Sequence, residues 1–178
     1  MPSVNIVISD HRPHPSELIN MENLNFQGSP LYQPAEELTA LVKDERYSFV
    51  GAYEHGRLIG YCTGKPLRTK TLRRSPELKA AKAEAAYSMV NEAYFNKTVY
   101  IASFESLPQV QGLGIGSAVL DSFRMQVRDK GFVYIAGHFR QGPSRHLAYK
   151  VLKDVLFDIP LANFCDTGET YHFIMAQL

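Results

Sequence analysis

The spacing of apolar and polar positions predicts strands and helices that alternate along the chain. Branched and aromatic residues cluster where strands are predicted, and apolar residues recur every three or four positions where helices are predicted. The predicted strands cover residues 4–8, 47–53, 57–64, 99–106, 132–137, 155–159 and 171–176. The predicted helices cover residues 15–23, 34–42, 76–95, 115–127 and 144–154. The order βααββ(α)βαβαββ predicts an α/β protein with one central mixed sheet and helices on both faces.

An Ala-rich helix is predicted inside residues 66–97, as an insertion in a single domain that spans residues 1–178. One side of this helix carries Leu78, Ala85 and Met89, and the other side carries Tyr87 and Tyr94. A helix that is apolar all round is normally buried on both sides. The same helix of a second subunit would bury it, which predicts a homodimer, and an acceptor molecule beneath a lid is the alternative.

Composition and charge exclude several classes of protein. The chain has 178 residues, 45% of them hydrophobic and 21% charged, which is typical of one globular domain. A net charge of +1 argues against nucleic-acid binding by bulk charge. The two cysteines are far apart in sequence, so no disulfide framework is predicted. The pair His11-x-x-His14 has no third ligand nearby, so no metal site is predicted. No apolar run reaches the roughly 18 residues of a membrane span, and no signal peptide is recognised, so a cytoplasmic protein without membrane contact is expected.

A glycine-rich segment, VQGLGIGS over residues 110–117, lies between a predicted strand and a predicted helix. Glycines let the backbone turn sharply and approach a ligand, and the free N–H groups of a first helical turn suit an anion such as a pyrophosphate. A dinucleotide-binding fingerprint would need an acidic residue about 20 positions further on, and residues 134–138 provide none. A Walker loop is excluded because no Gly-Lys-Ser/Thr sequence ends the segment. An ordinary glycine-rich connection stays open at this point.

The pattern Q-x-x-G-x-G over residues 111–116, with Pro108 upstream, resembles the acetyl-CoA loop of the GNAT superfamily of N-acetyltransferases. The order of elements resembles that family over almost the whole chain. The resemblance implies acetyl-CoA as co-substrate, a primary amine of a small molecule or protein as acceptor, and direct acetyl transfer in a ternary complex. In that family the loop backbone holds the pyrophosphate and the preceding strand pairs with the pantetheine. The implied cofactor-binding residues are Phe104, Glu105, Ser106, Gln111, Gly112, Leu113, Gly114, Ile115, Gly116, Ser117 and Arg145.

A second landmark of the family, N-x-x-A-x-x-L-Y-x-x-x-G-F, falls near residues 145–157. Ala148, Val151 and Phe157 fit the pattern, whereas Leu152 occupies the position of a tyrosine that often protonates the leaving thiolate in the family. Tyr149 lies one turn earlier and is the candidate replacement. The departure leaves an alternative, a non-catalytic acyl-CoA-binding regulatory module of the same fold.

Acetyl transfer to an amine needs a base, because an alkylammonium with a pKa near 10.4 is almost wholly protonated at pH 7. His138, expected at the end of the fifth strand, can accept a proton near neutral pH. Glu105 lies in the stretch implied to pair with the pantetheine. The base is expected to be one of these two residues, or water relayed through one of them. Both also have a structural interpretation, His138 as a partly buried residue and Glu105 as the partner of a Lys or Arg.

Overall fold

A computed structural model describes residues 5–67 and 92–178, and in these ranges the strands and helices follow the predicted order. The strands are β1 (Ile6–Ser9), β2 (Ser48–Glu54), β3 (Arg57–Pro66), β4 (Thr98–Ser106), β5 (Tyr134–Arg140), β6 (Asp154–Leu161) and β7 (Tyr171–Gln177). The helices are α1 (Pro15–Phe26), α2 (Ala35–Lys43), α3 (Glu92–Phe95), α4 (Ile115–Asp129) and α5 (Pro143–Val151). Short 3₁₀ turns occupy Pro108–Val110 and Phe164–Asp166. None of the helices in the described ranges is long and apolar enough to cross a membrane.

The strands form one seven-stranded mixed sheet in the order β1-β2-β3-β4-β5-β7-β6. The central β4–β5 pair is parallel and all other neighbours are antiparallel. A parallel neighbour requires a crossover connection, and α4 provides it between β4 and β5. The sheet confirms the predicted mixed α/β fold.

Helices cover both faces of the sheet. Buried residues of α4 and α5, among them Val119, Phe123 and Ala148, share one core with the strands on the first face. On the other face Leu18 of α1 and Leu38 of α2 pack with aromatic residues of β2 and β3. A third cluster on that face surrounds the second 3₁₀ turn and the buried side of β7. Apolar burial of this extent is the main stabilising contribution in a domain of this size.

Two predicted element ends differ from the structure in ways that affect the site. Strand β5 begins at Tyr134 and continues to Arg140, because β7 pairs with it as far as the Arg140–Tyr171 position. His138 therefore lies inside the strand and not at its end. Helix α1 continues to Phe26, beyond the predicted end at residue 23, and this last turn carries side chains that contact β4.

Most of the predicted insertion, residues 68–91 with Tyr87, lies outside the described residues. Tyr94 is described, and its ring contacts Tyr134 at 5.0 Å and Phe157 at 6.0 Å between centroids. The side of the predicted helix that carries Tyr94, opposite Leu78, is therefore not left to a second subunit at this residue, because β5 and β6 of its own chain contact the ring. The homodimer, the lid and the single-domain organisation stay predictions.

Candidate active site

Strands β4 and β5 separate in the middle of the sheet. Their pairing ends at Tyr100 and Ala136, although β4 continues to Ser106. On its other edge β4 stays paired with β3 through this stretch, with a register shift opposite Ala102. The edge of β4 that faces β5 therefore has no strand partner over Phe104–Ser106. Such an edge can pair with an extended ligand.

The glycine segment forms a sharp turn directly before α4. Gly112 and Gly114 have φ angles of 81° and 85°, a left-handed conformation that other residues adopt at a cost. Gly114 is the N-cap of α4 and no side chain caps the helix. The N–H groups of the first turn of α4 therefore have no partner within the helix, and the helix dipole favours an anion there.

A groove of about 680 Å³ lies in front of this turn. The residues implied to bind the cofactor that line it are Phe104, Glu105, Ser106, Gln111, Gly112, Gly114, Gly116 and Ser117. A Cβ at Gly116 would come within 3.0 Å of Leu147 Cδ1 and 3.4 Å of Phe104 Cζ, so the absence of a side chain keeps this wall clear. Leu113 is exposed and the Ile115 side chain is buried in the core, and neither lines the groove. Turn, groove and unpaired strand edge together fit the pyrophosphate and pantetheine of CoA.

A second cavity, of about 310 Å³, lies on the α1–α2 side of the sheet. It shares lining residues with the groove, among them Glu105, Gln111 and Ser144, so the two spaces adjoin each other. Three residues belong to the lining of this cavity and not to that of the groove: Glu22, His138 and Tyr171. A molecule in this cavity and a molecule in the groove would meet at the point where β4 and β5 separate.

Glu105 is held in a fixed position between the groove and the cavity. Its side chain is nearly buried, and Oε1 accepts hydrogen bonds from the Tyr61 hydroxyl at 2.6 Å and the Ser103 hydroxyl at 3.2 Å. Its Oε2 accepts a hydrogen bond from Asn25 Nδ2 at 3.0 Å. Among the described residues no Lys or Arg pairs with it, so the structural interpretation as an ion-pair partner finds no support there.

Glu22 on α1 is the second carboxyl group of the cavity, and the sequence analysis missed it. The residue is 1% exposed, and its Oε1 accepts a hydrogen bond from the backbone N–H of Gln33 at 2.6 Å. Burial, followed by the hydrogen bond and the charge of Glu105, raises the pKa of Glu22 from 4.5 to about 8. One signal could have revealed it, because Glu22 lies one turn after Leu18 on the buried face of α1.

His138 lies among aromatic rings in the same cavity. Its Nδ1 is 2.8 Å from the Tyr100 hydroxyl, and its ring stacks on Phe164 with 4.8 Å between centroids. Burial lowers the pKa of His138 from 6.5 to about 3. Desolvation disfavours the charged ring, which argues against the proton exchange near neutral pH that the sequence predicts for His138.

The structure places Tyr149 and Arg145 away from both spaces. The Tyr149 hydroxyl donates to Asp158 Oδ2 at 2.5 Å, and Arg145 donates to the same oxygen from Nε at 3.1 Å. His172 Nδ1 lies 2.6 Å from the other oxygen of Asp158. Neither Tyr149 nor Arg145 lines the groove or the cavity, and Leu152 is fully buried in the core. The residues of α5 that do line the groove are Pro143, Ser144, Leu147 and Lys150.

Comparisons with known proteins agree with this geometry. The model of the Acetyltransferase (GNAT) family matches residues 16–152. No curated protein is significantly similar to the chain in sequence. Within the described ranges no group of three or more His, Cys, Asp or Glu side chains could hold a metal ion.

Solved structures of similar fold cover nearly the whole chain. A variant of an agmatine N-acetyltransferase in its apo form has a TM-score of 0.70 at 12% identity, over 98% of this chain and 100% of that chain. The protein yncA from Salmonella typhimurium, with its cofactor acetyl-CoA, has a TM-score of 0.68 at 15% identity, over 98% and 94% of the two chains. The ribosomal-protein-S18-alanine N-acetyltransferase from Escherichia coli has a TM-score of 0.66 at 11% identity, over 97% and 94%. Identities this low show a shared fold only.

The sheet that separates at its centre, the glycine turn before α4 and the family match over residues 16–152 lead to one conclusion. The chain belongs to the GNAT family of acetyltransferases, which use acetyl-CoA, and it is an acyltransferase.

Proposed function

We propose that this protein is a cytoplasmic N-acetyltransferase that moves the acetyl group of acetyl-CoA directly to a primary amine within a ternary complex. One observation carries the proposal. The buried Glu22–Glu105 pair lines a cavity that adjoins the groove of the glycine turn, and Glu105 borders both spaces. An amine at the carboxyl pair would therefore lie beside the part of the groove that the thioester reaches.

The described residues support a binding mode for CoA. The N–H groups of the first turn of α4 bind the pyrophosphate, and the edge of β4 over Phe104–Ser106 pairs with the pantetheine. Lys150 lines the groove and is available to a phosphate group, whereas Arg145 is engaged by Asp158. When bound, acetyl-CoA supplies the activated acetyl group, and the chain supplies position and proton transfer.

The carboxyl pair removes a proton from the incoming ammonium ion. A base is most effective when its pKa lies near the working pH, and the raised pKa of Glu22 meets this condition better than an ordinary carboxylate does. Glu105, fixed by Tyr61 and Asn25, attracts the cation and holds it for the transfer. The neutral nitrogen then forms a bond to the acetyl carbon, and the carbon–sulfur bond breaks.

The leaving sulfur takes the second proton released by nitrogen, so free CoA thiol and one proton on the carboxyl pair balance the reaction. Tyr149 was the sequence-based candidate for this step, but its hydroxyl is bound to Asp158. Ser144 borders both the groove and the cavity, and we place the proton relay there. Ser144→Ala should lower the turnover number more than it changes the Michaelis constant of the amine.

The proposal is tested with the purified chain, acetyl-CoA and a panel of primary amines, including a peptide with a free N-terminus. Release of free thiol together with an amine product 42 Da heavier is the expected result, since an acetyl group replaces a proton. If acetyl-CoA raises the melting temperature and no amine releases thiol, the non-catalytic acyl-CoA-binding module is correct instead.

A homodimer through the inserted helix is a separate part of the proposal. Its support is the apolar composition on both sides of the segment that contains Tyr87. Light scattering at micromolar concentration should give twice the monomer mass, and Tyr87→Glu should lower it. A monomer in the unaltered chain contradicts the dimer and leaves the acetyltransferase proposal unaffected.

A further inference from the structure

The cavity of Glu22 and Glu105 has an aromatic wall, formed by His138, Phe164 and Tyr171. Phe164 stacks on His138 and on Tyr171, with 4.8 Å between centroids and 28° between planes in each pair. The three residues come from β5, from the turn after β6 and from β7, so the sheet and the turn hold the rings in fixed positions. Phe26 and Leu31 add further apolar surface from α1 and the segment that follows it.

The electrostatic character of the cavity matches one positive charge. The two carboxyl groups share a proton near neutral pH, because burial and the neighbouring carboxylate raise the pKa of Glu22 to about 8. His138 is uncharged in that range, since burial lowers its pKa to about 3. Among the described residues of the lining, the remaining charged one is Arg140, which is positive and forms an ion pair with Glu169.

We propose that the acceptor is a small aralkylamine with a single positive charge, whose ammonium group reaches Glu22 and Glu105 and whose ring contacts the aromatic wall. The inference rests on the proposed function, and it names the substrate class of the same site. A volume of about 310 Å³ lies at the small end of ligand cavities, which suits one ring and a short chain. A second cation on the acceptor would approach Arg140, and the positive charge of this residue opposes it.

The test compares three amines with saturating acetyl-CoA: 2-phenylethylamine, its saturated analogue 2-cyclohexylethylamine, and agmatine. The first two have the same chain and nearly the same apolar area, so their ratio isolates the contribution of the aromatic ring. We expect kcat/KM for 2-phenylethylamine to exceed that of the saturated analogue by about 2- to 12-fold, the range of aromatic contacts. The kcat/KM for 2-phenylethylamine should exceed the kcat/KM for the dication agmatine by about tenfold or more.

Two variants locate the preference in the cavity. Tyr171→Leu removes one ring of the wall, and the ratio between the first two amines should fall toward one. Tyr32→Leu is the matched control, because Tyr32 is exposed, bonds to Asn23 and lies outside the cavity lining, so the ratio should persist. If Tyr171→Leu does not fold, Phe26→Leu is used instead, because it removes an aromatic ring that α1 contributes to the cavity, and the ratio should again fall toward one.

The two ways of failing are distinct. If the saturated analogue or agmatine is acetylated as well as or better than 2-phenylethylamine, the aralkylamine inference is overturned and the N-acetyltransferase proposal stands. If acetyl-CoA binds and none of the three amines is acetylated, the aralkylamine inference is overturned, and the wider panel with the peptide decides the N-acetyltransferase proposal.

Discussion

Glu22 of α1 and Glu105 of β4 interact at the wall of one cavity, and burial together with this contact raises the pKa of Glu22 to about 8. Each carboxyl group has its own anchor. The backbone N–H of Gln33 binds Glu22, and the hydroxyl of Tyr61 binds Glu105. Two carboxyl groups held this close share one proton near neutral pH, and Glu22 accepts a proton from the substrate cation once that shared proton has left, which happens with a pKa of about 8.

The first prediction concerns the base. Glu22→Gln keeps the size of the side chain and an acceptor for the Gln33 N–H, but removes the group that titrates. We expect kcat/KM to fall by about 10²-fold or more, and the limb that rises with pH through about 8 to disappear. The measurement is thiol release between pH 6 and pH 9.5.

Glu36→Gln is the control for this change. Glu36 is an exposed residue in the first turn of α2, outside the lining of the cavity, and its replacement should leave the rate and the pH profile as they are. A Glu22→Gln enzyme with an unaltered profile would remove Glu22 from the mechanism, and Glu105→Gln would then be tested as the base.

A second prediction follows from the same pKa without any substrate. Glu22 binds its proton more tightly in the folded chain than the ordinary value of 4.5 allows in the unfolded chain. Between pH 4.5 and about 8 the folded chain therefore holds the extra proton, and the free energy of unfolding falls as pH rises, by at most about 1.4 kcal/mol per pH unit. Urea unfolding at pH 5 and pH 8 should show this loss in the unaltered chain and a smaller one in Glu22→Gln. Equal losses in both chains would contradict the raised pKa.

The third prediction separates binding from folding at the glycine turn. Gly114 and Gly168 have φ angles of 85° and 73°, and a Cβ at either position would meet nothing within 4 Å. Valine at each should therefore cost a similar 1–2 kcal/mol or so of backbone strain. Only Gly114→Val should weaken CoA binding, by about tenfold or more in calorimetry, because only Gly114 borders the groove. Equal CoA affinity in the two variants would show that the turn does not hold the cofactor.

The fourth prediction distinguishes two cations of α5. Lys150 lines the groove, and Arg145 is bound to Asp158 outside it. Lys150→Gln should weaken CoA binding by about fivefold, the effect of one partly solvated ion pair, and Arg145→Gln should leave it nearly unchanged. The reverse order of effects would restore Arg145 as the phosphate ligand that the family resemblance implies.

The fifth prediction concerns His138. Because burial lowers its pKa to about 3, the ring stays neutral above pH 6, and His138→Gln should leave the midpoint of the rate profile in place between pH 6 and pH 9. Between pH 6.5 and about pH 3, His138 binds a proton in the unfolded chain but not in the folded chain. The free energy of unfolding of the unaltered chain therefore falls as pH is lowered through this window. That part of the acid destabilisation should be absent in His138→Gln. A midpoint shifted by the variant would return His138 to the role of base.

Local sequence determined the order of the elements and the glycine turn. Alternating apolar residues, prolines at helix starts and the Q-x-x-G-x-G spacing act over a few positions, so the mixed sheet, α4 and the family resemblance could be read from them. The boundaries were less accurate where a neighbour decided them. Pairing with β7 extends β5 to Arg140. The last turn of α1 contacts β4 through the hydrogen bond from Asn25 to Glu105. Both of these neighbouring strands are remote in sequence from the element that they contact.

Only the tertiary structure decided which polar groups form the site. Glu22 became half of a carboxyl pair because α1 packs over β3 and β4, and no pattern within α1 specifies that partner. The pKa of His138 lies below the neutral range because rings from β4, β7 and the second 3₁₀ turn surround the side chain and exclude water. Tyr149 and Arg145 turned to Asp158, which β6 brings to their side of α5. A pKa and a hydrogen-bond partner depend on atoms within a few ångströms, and folding, not chain order, brings those atoms together.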